Sequence, residues 1–113
     1  MAKPYFNTKI YHNQAEIAKA LANPTRLAIL HFLRDGEKNV SEIVHAIRGS
    51  QSDVSQNLML LRERQIVKTR QEGRSFYYRL ASPKIGQALD LIRELSMEHL
   101  SQKKASALGE QGE

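Results

Sequence analysis

The residues with the clearest chemical bias lie in "SQSDVSQNLMLLRERQ", Ser50 to Gln65. Gln51, Ser52, Ser55 and Gln56 offer neutral amide and hydroxyl groups where an ordinary solvated helix face would carry Lys and Glu. Such groups suit the edges of base pairs. Gln pairs with adenine through N6 and N7, and Ser donates or accepts at several bases, whereas long charged side chains are drawn to phosphate. Val54, Leu58 and Leu61 are spaced four and three apart, which makes one apolar stripe of a helix. The expectation is a helix anchored by that stripe, with Gln51, Ser52, Ser55 and Gln56 reading a groove and Asn57 beside them at a less favourable angle. A merely solvated polar face competes with this reading, and the neighbouring elements weigh against it.

Positive charge follows at once. The segment from Arg62 to Arg79 holds six basic residues against Glu63 and Glu72, a net +4 in a chain whose total is +5. A local basic cluster suits phosphate. Arg70 and Arg74 flank a turn and are expected to meet phosphate or a narrow minor groove, with Lys68 reaching the backbone from the same stretch. The same charges could also keep an edge strand from pairing with other chains. Phe76, Tyr77 and Tyr78 fall on alternating faces and read as hairpin packing.

These residues need elements to hold them. "NQAEIAKALA", Asn13 to Ala22, reads as a short helix with Ile17, Ala18 and Leu21 on its packing side. In "NPTRLAILHFLRDG" Asn23 is an N-cap, Pro24 takes the first helical position, and Asp35-Gly36 stops a broadly apolar helix. "VSEIVHAIR" forms a third helix from about Val40 to Arg48 and ends at Gly49, after which Ser50 caps the fourth, with Asp53 completing a capping-box-like pair. Two helices separated by a few residues around a glycine look like a helix-turn-helix. "IVKTRQEGRSFYYRL" then alternates around Glu72-Gly73 and predicts a hairpin, Ile66 to Gln71 and Ser75 to Leu80. A last helix runs from Pro83 to about Leu100 with Ile85, Leu89, Ile92 and Leu95 on one stripe, and Asp90, Glu94 and Glu98 as a solvated side. The fold class is mainly α with a β-hairpin, in the order α-α-α-α-β-β-α: a winged helix-turn-helix. The expected domain spans residues 11–101, between a flexible arm at 1–10 and a flexible tail at 102–113.

Composition sets the outer limits. The 113 residues make one domain with 41% hydrophobic content and no cysteine, which excludes disulfides, thiolate metal ligands and thiol redox sensing. No apolar run approaches the roughly 20 residues of a membrane span, and "MAKPYFNTKI" lacks the apolar core of a signal peptide, so a cytoplasmic location without membrane partners is expected. No nucleophile, base and orienting residue group into a catalytic motif, and there is no glycine-rich phosphate loop.

Together, "LANPTRLAILHFL", "SQSDVSQNLMLLRERQIV" and "GRSFYYRL" resemble the ArsR/SmtB family of bacterial winged-helix repressors, over about residues 13 to 100. The resemblance implies a homodimer joined mainly through the first and last helices, which assigns Ile17, Leu21, Ile85, Leu89 and Ile92 to the dimer interface. It also implies binding to an inverted-repeat operator in double-stranded DNA and repression relieved by a ligand. Packing within one subunit is the competing use of part of the Ile85, Leu89 and Ile92 stripe. The chain departs from the family at Gln65, where a glycine is usual.

The family's metal sites are not carried over. Asn39 and Ser41 stand where some members have thiolates, and Ser82, Lys84, Leu95 and Glu98 align with the ligands of the site across paired last helices; only Glu98 could bind a metal. No metal or other cofactor is therefore expected. Two alternatives stay open: a metal-responsive repressor with a non-standard site from His12, His99 and Glu98 at the dimer interface, and a winged helix used purely as a protein-interaction module.

Overall fold

The computed structural model describes residues 8–111, with side chains to residue 109. The elements run α1 (Thr8–Leu21), α2 (Pro24–Leu33), β1 (Lys38–Asn39), α3 (Val40–Ile47), α4 (Gln51–Glu63), β2 (Val67–Glu72), β3 (Ser75–Leu80) and α5 (Pro83–Gln111). This is the expected winged helix-turn-helix, with α3 and α4 as the helix pair and β2–β3 as the wing.

The signals that start each helix act locally. Asn23 accepts from the Arg26 N–H at 3.1 Å with Pro24 behind it, and Asn39 accepts from Glu42 N–H at 2.8 Å while Glu42 returns the bond to Asn39 N–H at 3.1 Å. Ser50 accepts from the Asp53 N–H at 3.1 Å. The joint between α3 and α4 is tight: Arg48 takes the left-handed conformation (φ 54), and a Cβ added at Gly49 would lie 3.2 Å from Val54. Helix α4 ends with Gln65 left-handed (φ 62) and the Ile66 N–H bonded to the Leu61 carbonyl at 2.9 Å. The residue at the family's glycine position thus does adopt the backbone that glycine tolerates best.

Ile29, Leu30, Ile43, Val54, Leu58, Leu61 and Leu89 are wholly buried in a single core, closed by Ile66 and Val67 at the base of the wing. The sheet order is β1-β3-β2, both pairings antiparallel, with Glu72 opposite Ser75 across the two-residue loop Gly73-Arg74. Gly73 has φ 62, which explains the glycine there.

Four expectations need correction. Helix α1 begins at Thr8, so residues 8–10 of the expected arm are helical and 1–7 lie outside the described residues. Ile10, Ile17 and Leu21 share a face, a period visible only over two turns or more. Strand β1, which pairs Lys38 with Tyr78, was not foreseen because two residues cannot display an alternation. Helix α5 continues to Gln111 instead of stopping near Leu100, because "SQKKASALGEQ" holds good helix formers and no proline. Residues 112–113 of the expected tail lie outside the described residues. Finally, Ala20 is the buried residue of α1, whereas Ala18 and Ile17 are exposed.

Candidate nucleic-acid interface

Helix α4 separates its two faces cleanly. Val54, Leu58 and Leu61 are 0% exposed, while Gln51, Ser52, Ser55 and Gln56 are all exposed. Gln51 and Ser55 open onto a cleft of about 370 Å³ whose opposite wall is the tip of the wing, at Arg74, Ser75 and Phe76. Ser41, at the start of α3, completes one side. The capped N-terminus of α4 and the turn of the hairpin therefore form one continuous surface. The sequence points to Phe76 as hairpin packing and to Ser41 only as the residue at a thiolate position, and to neither as part of this surface. The alternation along β3 puts Phe76 on one face with Tyr78, and only the short strand and exposed position (44%) leave it at the cleft.

Asn57 is not part of that surface. It is half-buried, its amide nitrogen donates to the Asp53 carbonyl at 2.9 Å, and its oxygen accepts from Arg26 Nη1 at 3.3 Å. Arg26 also donates to the carbonyls of Ala20 at 2.6 Å and Lys19 at 3.2 Å. Asn57 therefore ties the recognition helix to the end of α1, a role the sequence could not reveal because its partner lies 31 residues away.

The wing's cations differ sharply among themselves. Arg70 donates from Nε to Glu37 at 2.8 Å, approaches the same carboxylate through Nη2 at 2.7 Å, and donates from Nη1 to Glu72 at 2.8 Å. Its guanidinium lies 4.5 Å from the centre of the Tyr77 ring. The bonds to Glu37 and Glu72 push its pKa well above the ordinary arginine value. An arginine held by two carboxylates has less positive field to offer phosphate, and here Arg70 clamps β2 to the loop before β1. Arg74 is exposed at the loop and makes no ion pair or hydrogen bond through its side chain among the described residues. Lys68 sits opposite Arg79, about 17 Å along the strand from the tip, and so is not beside Gln51.

The expected interface stripe on α5 also divides. Leu89 is 0% exposed within the single subunit and belongs to the core, which removes it from the dimer surface. Ile85 and Leu21 are partly buried against that core. Ile17 (41% exposed) and Ile92 (47%) remain outside, joined by Leu91, Leu95 and Leu100 on α5. Of the expected solvated acids, Asp90 is held by Arg34 at 2.8 Å, and that bond lowers its pKa. Glu16 of α1 is likewise lowered, chiefly by its hydrogen bond from Arg64 at the end of α4.

Within one subunit, no group of three or more His, Asp or Glu among the described residues is placed to hold a metal ion. Asn39, aligned with a thiolate position, has its oxygen engaged in capping α3. No helix among the described residues is long and apolar enough to cross a membrane.

Residues 23–69, from the cap of α2 to the middle of β2, match the family model described as bacterial regulatory protein, arsR family. The chain is 36% identical over 93 residues to the HTH-type transcriptional regulator Rv0324 of Mycobacterium tuberculosis, covering 82% of this chain but 41% of that protein. It is 38% identical over 79 residues to the transcriptional activator HlyU of Vibrio cholerae, covering 70% of this chain and 73% of HlyU. Among solved structures, the homodimeric winged helix-turn-helix DNA-binding domain of Mb0332 from Mycobacterium bovis superposes with a TM-score of 0.75 at 34% identity, over 83% of this chain and 87% of that one. With its fold, its helix-turn-helix and these relatives in agreement, the chain belongs to the arsR family of bacterial regulatory proteins and is a winged helix-turn-helix DNA-binding transcriptional regulator.

Proposed function

We propose that the chain acts as a homodimeric repressor that recognises an inverted-repeat operator in double-stranded DNA. Gln51, Ser52, Ser55 and Gln56 read base edges in the major groove, and Arg74 steadies the complex on phosphate or in the adjacent minor groove. The observation that carries this reading is the shared cleft of Gln51, Ser55 and Arg74. Neutral groove-reading groups and an unengaged guanidinium face the same side, while the remaining polar groups of that region, Asn57 and Arg70, are held internally. Exposed Ile17, Ile92 and Leu95 support pairing through α1 and α5. Two copies related by a twofold axis would present their recognition helices to successive turns of the duplex.

The sign of regulation depends on where the operator lies relative to the promoter. HlyU, named an activator, shows that a relative can act in the other direction.

Fluorescence anisotropy with DNA from the regulator's own upstream region, against scrambled DNA, tests the proposal. The parent protein should prefer its own site, and Gln51→Ala/Gln56→Ala should lose about 1–3 kcal/mol of discrimination for each bidentate pair removed while keeping its non-specific affinity. Equal binding of both DNAs by the parent would overturn it.

A further inference from the structure

The large hydrophobic side chains left exposed among the described residues sort by surface. Ile10, Tyr11 and Ile17 lie on α1, and six more, from Leu91 to Leu108, lie on α5, the two helices proposed to pair. Phe76 stands at the cleft of the wing. The remaining one, Met59, is 61% exposed in the third turn of the recognition helix α4.

Met59 continues the row of groove-facing residues. Ser52, Ser55, Gln56 and Met59 are spaced 0, 3, 4 and 7 along α4, which puts all four on one side of the helix, and all four are exposed. Val54, Leu58 and Leu61 hold the other side in the core. Helices that lie in the major groove meet base edges with this same spacing. From Ser52 to Met59 the helix rises about 10 Å, the height of about three base pairs. Glu63 follows one turn later and is also exposed. Phosphate repels a carboxylate there, so Met59 closes the row.

The chemistry of Met59 differs from that of its neighbours. It has no hydrogen-bond donor, and its thioether is a weak acceptor. The major groove displays donors, acceptors and a single apolar group, the C5 methyl of thymine. An apolar side chain therefore has one complementary target among the base edges. Methionine is long, unbranched and adaptable, which suits a reach across the groove. A helix position facing water alone would be served equally well by Lys or Glu, both good helix formers.

We infer that Met59 is a specificity-determining residue of α4, selecting a T·A pair by covering the thymine C5 methyl beside the bases read by Ser52, Ser55 and Gln56. The inference rests on the DNA-reading surface proposed above. It adds an apolar contact that amide and hydroxyl groups do not supply.

Exchange of thymine for deoxyuridine tests this, because it removes the methyl and keeps every hydrogen-bonding group of the base. Duplexes from the regulator's own upstream region carry the exchange at one thymine of each half-site at a time, and fluorescence anisotropy reads their affinity at constant salt. For the parent, one position should weaken binding about fourfold per half-site, which is about 0.8 kcal/mol, the value of one buried methyl group. Met59→Ala should bind the thymine and deoxyuridine duplexes equally at that position, and Met59→Leu should keep a preference for thymine. Both variants should match the parent in circular dichroism and in affinity for scrambled DNA. An unchanged thymine preference in Met59→Ala, or no thymine whose exchange weakens the parent, overturns the inference. So does an equal loss of affinity for operator and scrambled duplexes in Met59→Ala, which would place the side chain against the backbone. In each of these cases a parent that still prefers its own site to scrambled DNA leaves the operator reading standing, whereas equal binding of both by the parent removes the two together.

Discussion

The wing and the last helix each repeat one residue type along a regular element, and in each the repeats divide between two tasks. On the wing, Arg70 is clamped by Glu37 and Glu72 while Arg74, four residues on, is left open at the turn. On α5, Leu89 is completely buried while Ile92, three residues on, is 47% exposed. The difference between neighbours is not in their chemistry but in what the rest of the chain brings to them. Glu37 reaches Arg70 from 33 positions away, and Leu89 is taken into the core where α5 packs on α2 and β3. Residues that look interchangeable along an element are therefore separable by mutation, and the size of each effect should follow from which partner is lost.

The α5 pair should give the largest contrast. Leu89→Ala removes a fully buried side chain and should cost about 2–5 kcal/mol of folding stability, read from urea denaturation followed by circular dichroism. Ile92→Glu should leave the subunit's fold intact but place a charge in the apolar surface of α5. If the chain pairs as proposed, light scattering should then show the variant at half the parent's mass. The comparison breaks if Leu89→Ala unfolds no earlier than the parent, or if Ile92→Glu keeps the parent's mass.

The wing pair should give a smaller effect of the same kind. Arg74→Ala should weaken all DNA sequences alike and reduce the slope of log affinity against log salt by about 0.9, the loss of one phosphate contact. Its melting temperature should match the parent's, since the exposed side chain makes no hydrogen bond or ion pair among the described residues. Arg70→Ala should behave in reverse, lowering the melting temperature by releasing Glu37 and Glu72 and leaving the salt slope nearly unchanged. An identical salt slope for parent and Arg74→Ala would remove that residue from the interface.

The same contrast marks how far the sequence can be read. Helix starts were legible because Asn23, Asn39 and Ser50 act on N–H groups three residues ahead, within a few ångströms of themselves. The wing was legible through its alternation and Gly73. The apolar and polar faces of α4 followed from spacing alone, so Gln51, Ser52, Ser55 and Gln56 fall where the period puts them. What could not be read is whatever depends on distant chain: Asn57 held by Arg26, Arg70 by Glu37, Asp90 by Arg34 across 56 positions, and the two-residue β1 paired only through β3. The length of α5 is hidden for another reason: the polar, small residues after Leu100 predict fraying, yet Gln102, Lys103, Lys104, Ala105, Ala107 and Leu108 are good helix formers and the helix runs on past Gly109 to Gln111.

The smallest effect concerns acid. Arg34 lies across α5 where Gly86 leaves room, since an added Cβ there would come within 2.6 Å of its Nη1, and its guanidinium meets Asp90. The hydrogen bond from Arg34 holds the Asp90 carboxyl below its ordinary value, and the bonds from Arg64 and Lys19 do the same for Glu16. A carboxylate whose pKa is lowered on folding contributes stability that is fully present above its unfolded value of about 4 and disappears as pH falls through the lower folded value. Stability should therefore decline on the acid side of pH 4 and not between pH 5 and 8. Both carboxylates are solvent-accessible, so the contribution is small and screened by salt. Asp90→Asn should flatten part of that acid limb, and Gly86→Ala should flatten the same part by displacing Arg34, while gaining helix propensity of about 1 kcal/mol. If Gly86→Ala instead keeps the parent's acid dependence, Arg34 has found Asp90 by another path and the glycine is not what admits it.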